Sequence, residues 1–184
     1  ARDANRLAGF AMFLAVLGVL INSIGTTGIT LIAWIWIILG CLIGSGFGLV
    51  IAKRVPMTAM PETVALFNGC GGMSSLLVAI GVALFPLNID IAFSGKNLVS
   101  TISIIVSVFV GAITFTGSIV AMAKLQGWLS TPAWMLNKTR HAVNIVFAVL
   151  SLVAAIELLA NGQNGLWLLV VGSGLLGIGV TLPI

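Results

Sequence analysis

The chain has 184 residues, 60% of them hydrophobic and only 7% charged, with a formal net charge of +4. Soluble domains carry roughly 25% charged residues, so this composition and a mean hydropathy of +1.24 exclude a water-covered globular domain and leave an integral membrane protein. The small basic excess reads as membrane topology rather than as a nucleic-acid partner.

Six apolar spans follow in chain order, at about Leu7–Ile24, Leu31–Ile51, Glu62–Phe85, Leu98–Met122, Ala142–Ala160 and Leu166–Leu182. The expected fold is therefore an all-α, multi-pass bundle of about six transmembrane helices, with residues 1–184 forming one membrane segment. The connections are Gly25–Thr30, Ala52–Pro61, Pro86–Asn97, Ala123–His141 and Asn161–Gly165, and none has room for a soluble domain. Arg2, Arg6, Lys53, Arg54, Lys124, Lys138 and Arg140 fall on one side of a six-span arrangement, and Lys96 alone falls on the other. Basic residues mark the inner side of a membrane.

The first span is plain Leu, Val, Phe and Ala. The second carries Trp34 and Trp36 near its outer boundary, as aromatic belts do. It continues with Gly40, Gly44 and Gly48, a spacing of four that puts three glycines on one face as a close-packing seam. Gly44-Ser45-Gly46-Phe47-Gly48 lacks the preceding strand and the following acidic residue that a dinucleotide loop needs. Cys41 and Cys70 lie inside apolar runs and read as small packing residues, not as a disulfide or metal pair.

The third span opens on Met60-Pro61-Glu62. Proline suits a first turn, where no N–H donor is needed, and Glu62 meets the positive end of the helix dipole. No other charge follows until after Phe85, so Asn68 lies about two turns inside a charge-free span. Lipid offers an amide no partner, so Asn68 must be paired or hydrated. Gly69, Gly71 and Gly72 admit a second backbone beside it, and Asn68, Gly72 and Ser75 share a face.

The fourth span carries Ser100, Ser103, Ser107, Gly111, Thr114, Ser118 and Ala121 at steps of three and four. Two readings stand: helix packing, with hydroxyls bonded back to their own helix, or a water-accessible seam. After it, Lys124, Gln126, Gly127, Pro132, Lys138, Arg140 and His141 make the longest and most basic connection. Such a loop marks the inner side or docks a soluble phosphate-binding domain. In the fifth span Asn144, Ser151 and Ala155 share a face, and Glu157 sits near the outer end. The sixth has Trp167 at the outer boundary and a series Gly172, Gly174, Gly177 and Gly179. A start at Ala1 and an ending Thr181-Leu182-Pro183-Ile184 without a polar tail read as a piece of a longer chain.

Three passages together resemble the membrane domain of the proton-translocating nicotinamide nucleotide transhydrogenase, beta subunit. They are Ala52-Lys53-Arg54-Val55-Pro56-Met57-Thr58-Ala59-Met60-Pro61-Glu62; Gly111-Ala112-Ile113-Thr114-Phe115-Thr116-Gly117-Ser118, continued by Ala123-Lys124-Leu125-Gln126-Gly127; and Arg140-His141 followed by Asn144. The resemblance covers this chain but only part of the family's subunit. It implies an enzyme coupling hydride transfer from NADH to NADP⁺ to proton movement. NAD(H) and NADP(H) are then held by soluble domains of the complete enzyme, with no cofactor or metal in this chain.

The implied partners are the lipid bilayer, further membrane helices or the alpha subunit, the nucleotide-binding soluble domains, and a second copy in a dimer of the complete enzyme. The membrane is the bacterial inner membrane or the mitochondrial inner membrane. On this resemblance the proton path is assigned to Asn68, Ser75, Ser107, Thr114 and Ser118. A coupling surface at the inner face is assigned to Glu62, Lys124, Arg140 and His141. Some family members carry histidine at the position of Asn68 as the proton relay. Asparagine does not titrate, so the resemblance implies that the titrating group comes from a neighbouring subunit's helix.

Two readings from other classes remain. One is part of a solute transporter or channel, with Asn68 and the fourth-span hydroxyls lining a substrate path; the paired broken helices of many transporters have no counterpart here. The other is a structural membrane subunit whose stripes only pack. The charge pattern places both ends of the segment on the inner side. Cysteines introduced within Asn161–Gly165 should therefore react with a membrane-impermeant reagent from outside, and protection there with labelling at Thr131 would invert the topology.

Overall fold

A computed structural model describes residues 2–26, 30–85, 98–136, 138–161 and 164–183. Among them every regular element is helical, as a chain must be when its backbone N–H and C=O groups have only each other to bond in lipid. The outer connection Pro86–Asn97, with Lys96, lies outside the described residues. The chain divides into two compact units, residues 1–55 and 56–184.

The first unit is a pair of helices, α1 (Arg2–Thr26) and α2 (Leu31–Arg54). Thr30 caps α2: its Oγ1 accepts from the Ala33 N–H at 3.3 Å, satisfying one of the orphan donors of the first turn. Lys53 and Arg54 occupy the last turn, where cations suit the negative end of the dipole. No residue of α2 is buried. Nothing in this unit approaches within 4 Å of the space a Cβ would take at Gly40, Gly44 or Gly48, so the expected seam is unused inside it. Cys41 is exposed, and so is Cys70 in the second unit. Both are free thiols on outward-facing positions of their helices.

The second unit begins with a 3-10 turn, Met57–Ala59, and continues with α3 (Met60–Leu84), α4 (Leu98–Leu125), a 3-10 turn at Ala133–Leu136, α5 (Thr139–Asn161) and α6 (Asn164–Thr181). The basic connection is shorter than expected because α4 runs on to Leu125 and α5 already includes Arg140 and His141. The helices lie side by side in the order α3, α4, α6, α5, with α4 and α6 parallel and the other neighbours antiparallel. An apolar core fills the outer half, from Leu76, Ala79 and Ala83 of α3 through Ile104 and Val108 of α4 to Leu158 of α5 and Leu166 and Leu169 of α6.

Five helices, α1 to α5, are long and apolar enough to cross a membrane, whereas the apolar part of α6, Gly165–Thr181, is shorter. At 1.5 Å per residue it reaches about 26 Å against a core of ~30 Å. The shortfall is small, and α6 is flanked by α4 and α5, which bury Leu166, Leu169 and Ser173 completely.

Small residues decide how close the helices come. A Cβ on Gly72 would stand 2.8 Å from the Phe115 nitrogen and 2.9 Å from the Gly111 oxygen, and one on Gly111 would stand 2.8 Å from the Gly72 oxygen. There α3 and α4 touch backbone to backbone. Between α5 and α6 the contacts repeat every seven residues: Gly179 faces Asn144, Gly172 faces Ser151 and Gly165 faces Leu158. At Gly179 and Gly172 an α5 side chain enters the gap that the glycine leaves, and at Gly165 the α5 backbone itself comes close, the small-residue packing typical of membrane helices.

Gly72→Ala should destabilise the purified protein by about 1–3 kcal/mol, the usual cost of forcing atoms into a filled contact. Gly71, with nothing within 4 Å, is its control: Gly71→Ala should stay within about 0.5 kcal/mol. Denaturant titration in detergent reads both, and equal losses would refute the backbone contact.

Candidate functional site

Asn68 finds its partner on the next helix. Its Nδ2 donates to Ser118 Oγ at 2.9 Å. Ser118 is only 8% exposed, and Gly69 makes the approach possible, since a Cβ there would stand 3.1 Å from Ser118 Cβ. The pair sits in a groove of about 460 Å³ lined by Asn68 and Ala65 of α3, Thr114 and Ser118 of α4 and Thr181 of α6, with Pro61 at its inner end. Ser118 accepts from Asn68, so its own proton remains to be donated, while the Asn68 carbonyl remains to accept. The pair thus offers a donor and an acceptor side by side, as a bound water chain requires.

Ser75 and Ser107 do not join this groove. They line a second one of about 500 Å³ in the outer half, with Ser74, Ser100 and Ser103. Of the two readings of the α4 stripe, a single continuous seam is not what the fold makes: there are two grooves, separated where Gly72 and Gly111 bring the backbones together. Several hydroxyls bond back to their own helix, Ser74 to the Cys70 carbonyl and Ser103 to the Val99 carbonyl, as serine in an apolar helix does.

At the inner face the four expected coupling residues fall into separate groups. Glu62 Oε2 accepts from Gln126 Nε2 at 3.1 Å, tying the start of α3 to the end of α4. Lys124 Nζ donates to Thr131 Oγ1 and to the Leu182 carbonyl, each at 2.7 Å, and Thr131 Oγ1 donates to the same carbonyl at 3.0 Å. Arg140 and His141 are apart from these on the first turn of α5, where Arg140 Nε donates to His141 Nε2 at 3.3 Å.

The α4 end is built to hold that arrangement. Gly127 has φ +74°, a left-handed conformation that costs other residues roughly 1–2 kcal/mol. The Gly127 N–H bonds the Lys124 carbonyl and the Trp128 N–H bonds the Ala123 carbonyl, the paired bonds of a Schellman cap.

Sequence comparison decides the family. The whole chain, residues 1–184, matches the family described as NAD(P) transhydrogenase beta subunit. The chain belongs to the NAD(P) transhydrogenase beta subunit family. Two proteins named NAD(P) transhydrogenase subunit beta, both from Rhodospirillum rubrum and one from a named strain, are each 39% identical to it over 131 residues, 71% of this chain and 27% of theirs. The matched region is thus about a quarter of the length of these curated relatives. Membership and the apolar helices together make this a multi-pass membrane protein.

In this beta-subunit segment, four residues that the sequence did not mark take part in the geometry. Gln126 and Thr131 hold the inner face, the Leu182 carbonyl receives two donors, and Thr116 Oγ1 lies 2.8 Å from the Gly174 carbonyl across the α4–α6 contact. Gln126 and Thr116 carried a signal, Gln126 in the Ala123–Gly127 passage and Thr116 in the Gly111–Ser118 passage. Thr131 and Leu182 are brought to Lys124 by the fold alone.

Asn68→Leu and Ser118→Ala should show a coupling energy of about 0.6–2 kcal/mol in a double-mutant cycle, the range for hydrogen bonds between membrane helices. Additive losses would mean that the bond contributes nothing in the membrane.

Proposed function

We propose that this chain is the proton-conducting membrane segment of a proton-translocating NAD(P) transhydrogenase, an enzyme that couples hydride transfer from NADH to NADP⁺ with proton movement. NAD(H) and NADP(H) belong to soluble domains of the complete enzyme, which meet this segment at its inner face, and the enzyme is a dimer of the bacterial or mitochondrial inner membrane. Further membrane helices, including those of the alpha subunit, cover its outward faces. The observation that carries the reading is the Asn68–Ser118 pair at the wall of an open groove.

Neither residue titrates in the working range, so neither stores a proton. Their role is to order water: the Asn68 carbonyl accepts from one water, the Ser118 hydroxyl donates to the next, and Thr114 extends the polar wall. A titrating group from a neighbouring chain then exchanges its proton with this water. Ser75 and Ser107 line a separate groove in the outer half, beyond the backbone contact at Gly72 and Gly111, and water there is the second stage of the path toward the opposite face.

Asn68→Leu in the complete enzyme should lower proton pumping severalfold while hydride exchange between bound nucleotides continues. Asn68→His should retain more pumping than Leu, because it restores a hydrogen-bonding and titratable group. Pumping by vesicles and hydride exchange are measured on one preparation. Normal pumping in an assembled Asn68→Leu enzyme removes Asn68 from the path.

A further inference from the structure

We propose that Lys124 is a positioning residue: it latches the end of α6 to the end of α4 and so sets the inner mouth of the Asn68–Ser118 groove. The role deepens the proton-path reading and rests on it. The Leu182 carbonyl follows the last turn of α6, and the Leu182 N–H bonds the Ile178 carbonyl. The last carbonyls of a helix have no partner within it. This one receives two donors, Lys124 Nζ at 2.7 Å and Thr131 Oγ1 at 3.0 Å, and the third side of the triangle is Lys124 to Thr131 at 2.7 Å.

A charged donor makes the stronger hydrogen bond, and a cation suits the negative end of a helix dipole. Lys124 is half-buried, so the triangle is partly shielded from water. A lysine on a docking surface would hold its ammonium free; this one has two acceptors within its own unit.

The latch acts on the groove through one residue. Thr181, next to Leu182, lines the groove that holds Asn68 and Ser118. The Thr181 hydroxyl also lies 2.8 Å from where a Cβ on Gly117 would stand, so Thr181 is wedged between α4 and the opening. Losing the Lys124 bonds frees the α6 end to slide, and Thr181 then moves across the mouth. Glu62 and Gln126 brace the α3 side of the same mouth. The Gly127 turn brings the loop back so that Thr131 meets Lys124, which links the position of that loop to the width of the groove.

The test uses the complete enzyme in vesicles, with Cys41 and Cys70 replaced by serine and cysteines placed at Ala65 and Thr181, which line the groove from α3 and α6. The crosslinking rate with a short bifunctional thiol reagent reads the mouth without reference to transport. Lys124→Met should change that rate severalfold, and Lys124→Arg, which still donates, should restore most of it. Gly71→Ala, at a position with nothing within 4 Å, should leave it unchanged. Pumping per hydride transferred, measured without the added cysteines, should fall in Lys124→Met and recover in Lys124→Arg.

An unchanged crosslinking rate in Lys124→Met overturns the latch, even if pumping falls. A changed rate with normal pumping keeps the latch and removes the groove from the proton path. Should Lys124→Met fail to insert, Thr131→Val, which breaks two sides of the triangle, is held to the same comparison.

Discussion

Lipid supplies neither hydrogen-bond partners nor a hydrophobic gain when two helices meet, because lipid tails are as apolar as leucine. Cohesion then has to come from contact area, and dispersion rewards only atoms at close range. Gly72 and Gly111 answer that constraint by letting two backbones touch. The seven-residue ladder of Gly165, Gly172 and Gly179 does the same for α5 and α6. At Gly172 and Gly179 the neighbour in the gap is a Ser or Asn side chain, and at Gly165 it is the α5 backbone. The helix order α3, α4, α6, α5 follows from which glycines face which neighbour: Gly72 and Gly111 join α3 to α4, Gly177 faces Thr116 and Ile113 of α4, and the ladder joins α6 to α5.

Polar groups are arranged by depth around that frame. The outer half holds the apolar core, and the Ser103 and Ser151 hydroxyls bond within their own helices. The strong bonds between elements gather in the inner half, at Asn68–Ser118, Glu62–Gln126 and Lys124–Thr131–Leu182. One buried group stays outside this pattern. Among the described residues Asn144 Oδ1 has no hydrogen-bond partner, and it presses against Gly179. The α5–α6 contact there is held by shape alone.

Much of this was legible in the chain itself. Uninterrupted apolar runs gave the helices, because in lipid nothing else satisfies the backbone, and Asn68 stood out as an amide with no solvent to meet. Helical periodicity correctly placed Gly72 beside it and Ser118 on the facing stripe. It could not tell that the stripe is broken, because that depends on where α3 crosses α4, and crossing is set by backbone contact rather than by spacing along one helix. Thr131 lies seven residues beyond Lys124 and Leu182 lies 58 beyond it. Only the Gly127 turn and the parallel run of α4 and α6 bring them together.

The Ala123–Gly127 passage illustrates how one short sequence serves several physical demands. Ala123 is buried and supplies the carbonyl that Trp128 caps. Lys124 reaches α6, Gln126 reaches Glu62 of α3, and Gly127 supplies the positive φ that ends the helix. The passage therefore fixes α3, α4 and α6 at one level, about two turns below Asn68. A path made of water and non-titrating side chains has no stored charge to regulate it. On that reading its conduction depends on the width and hydration of the groove, and both are governed by the backbone contact at Gly72 on one side and by the inner knot on the other. The residues that control proton flow need not be those that touch the proton.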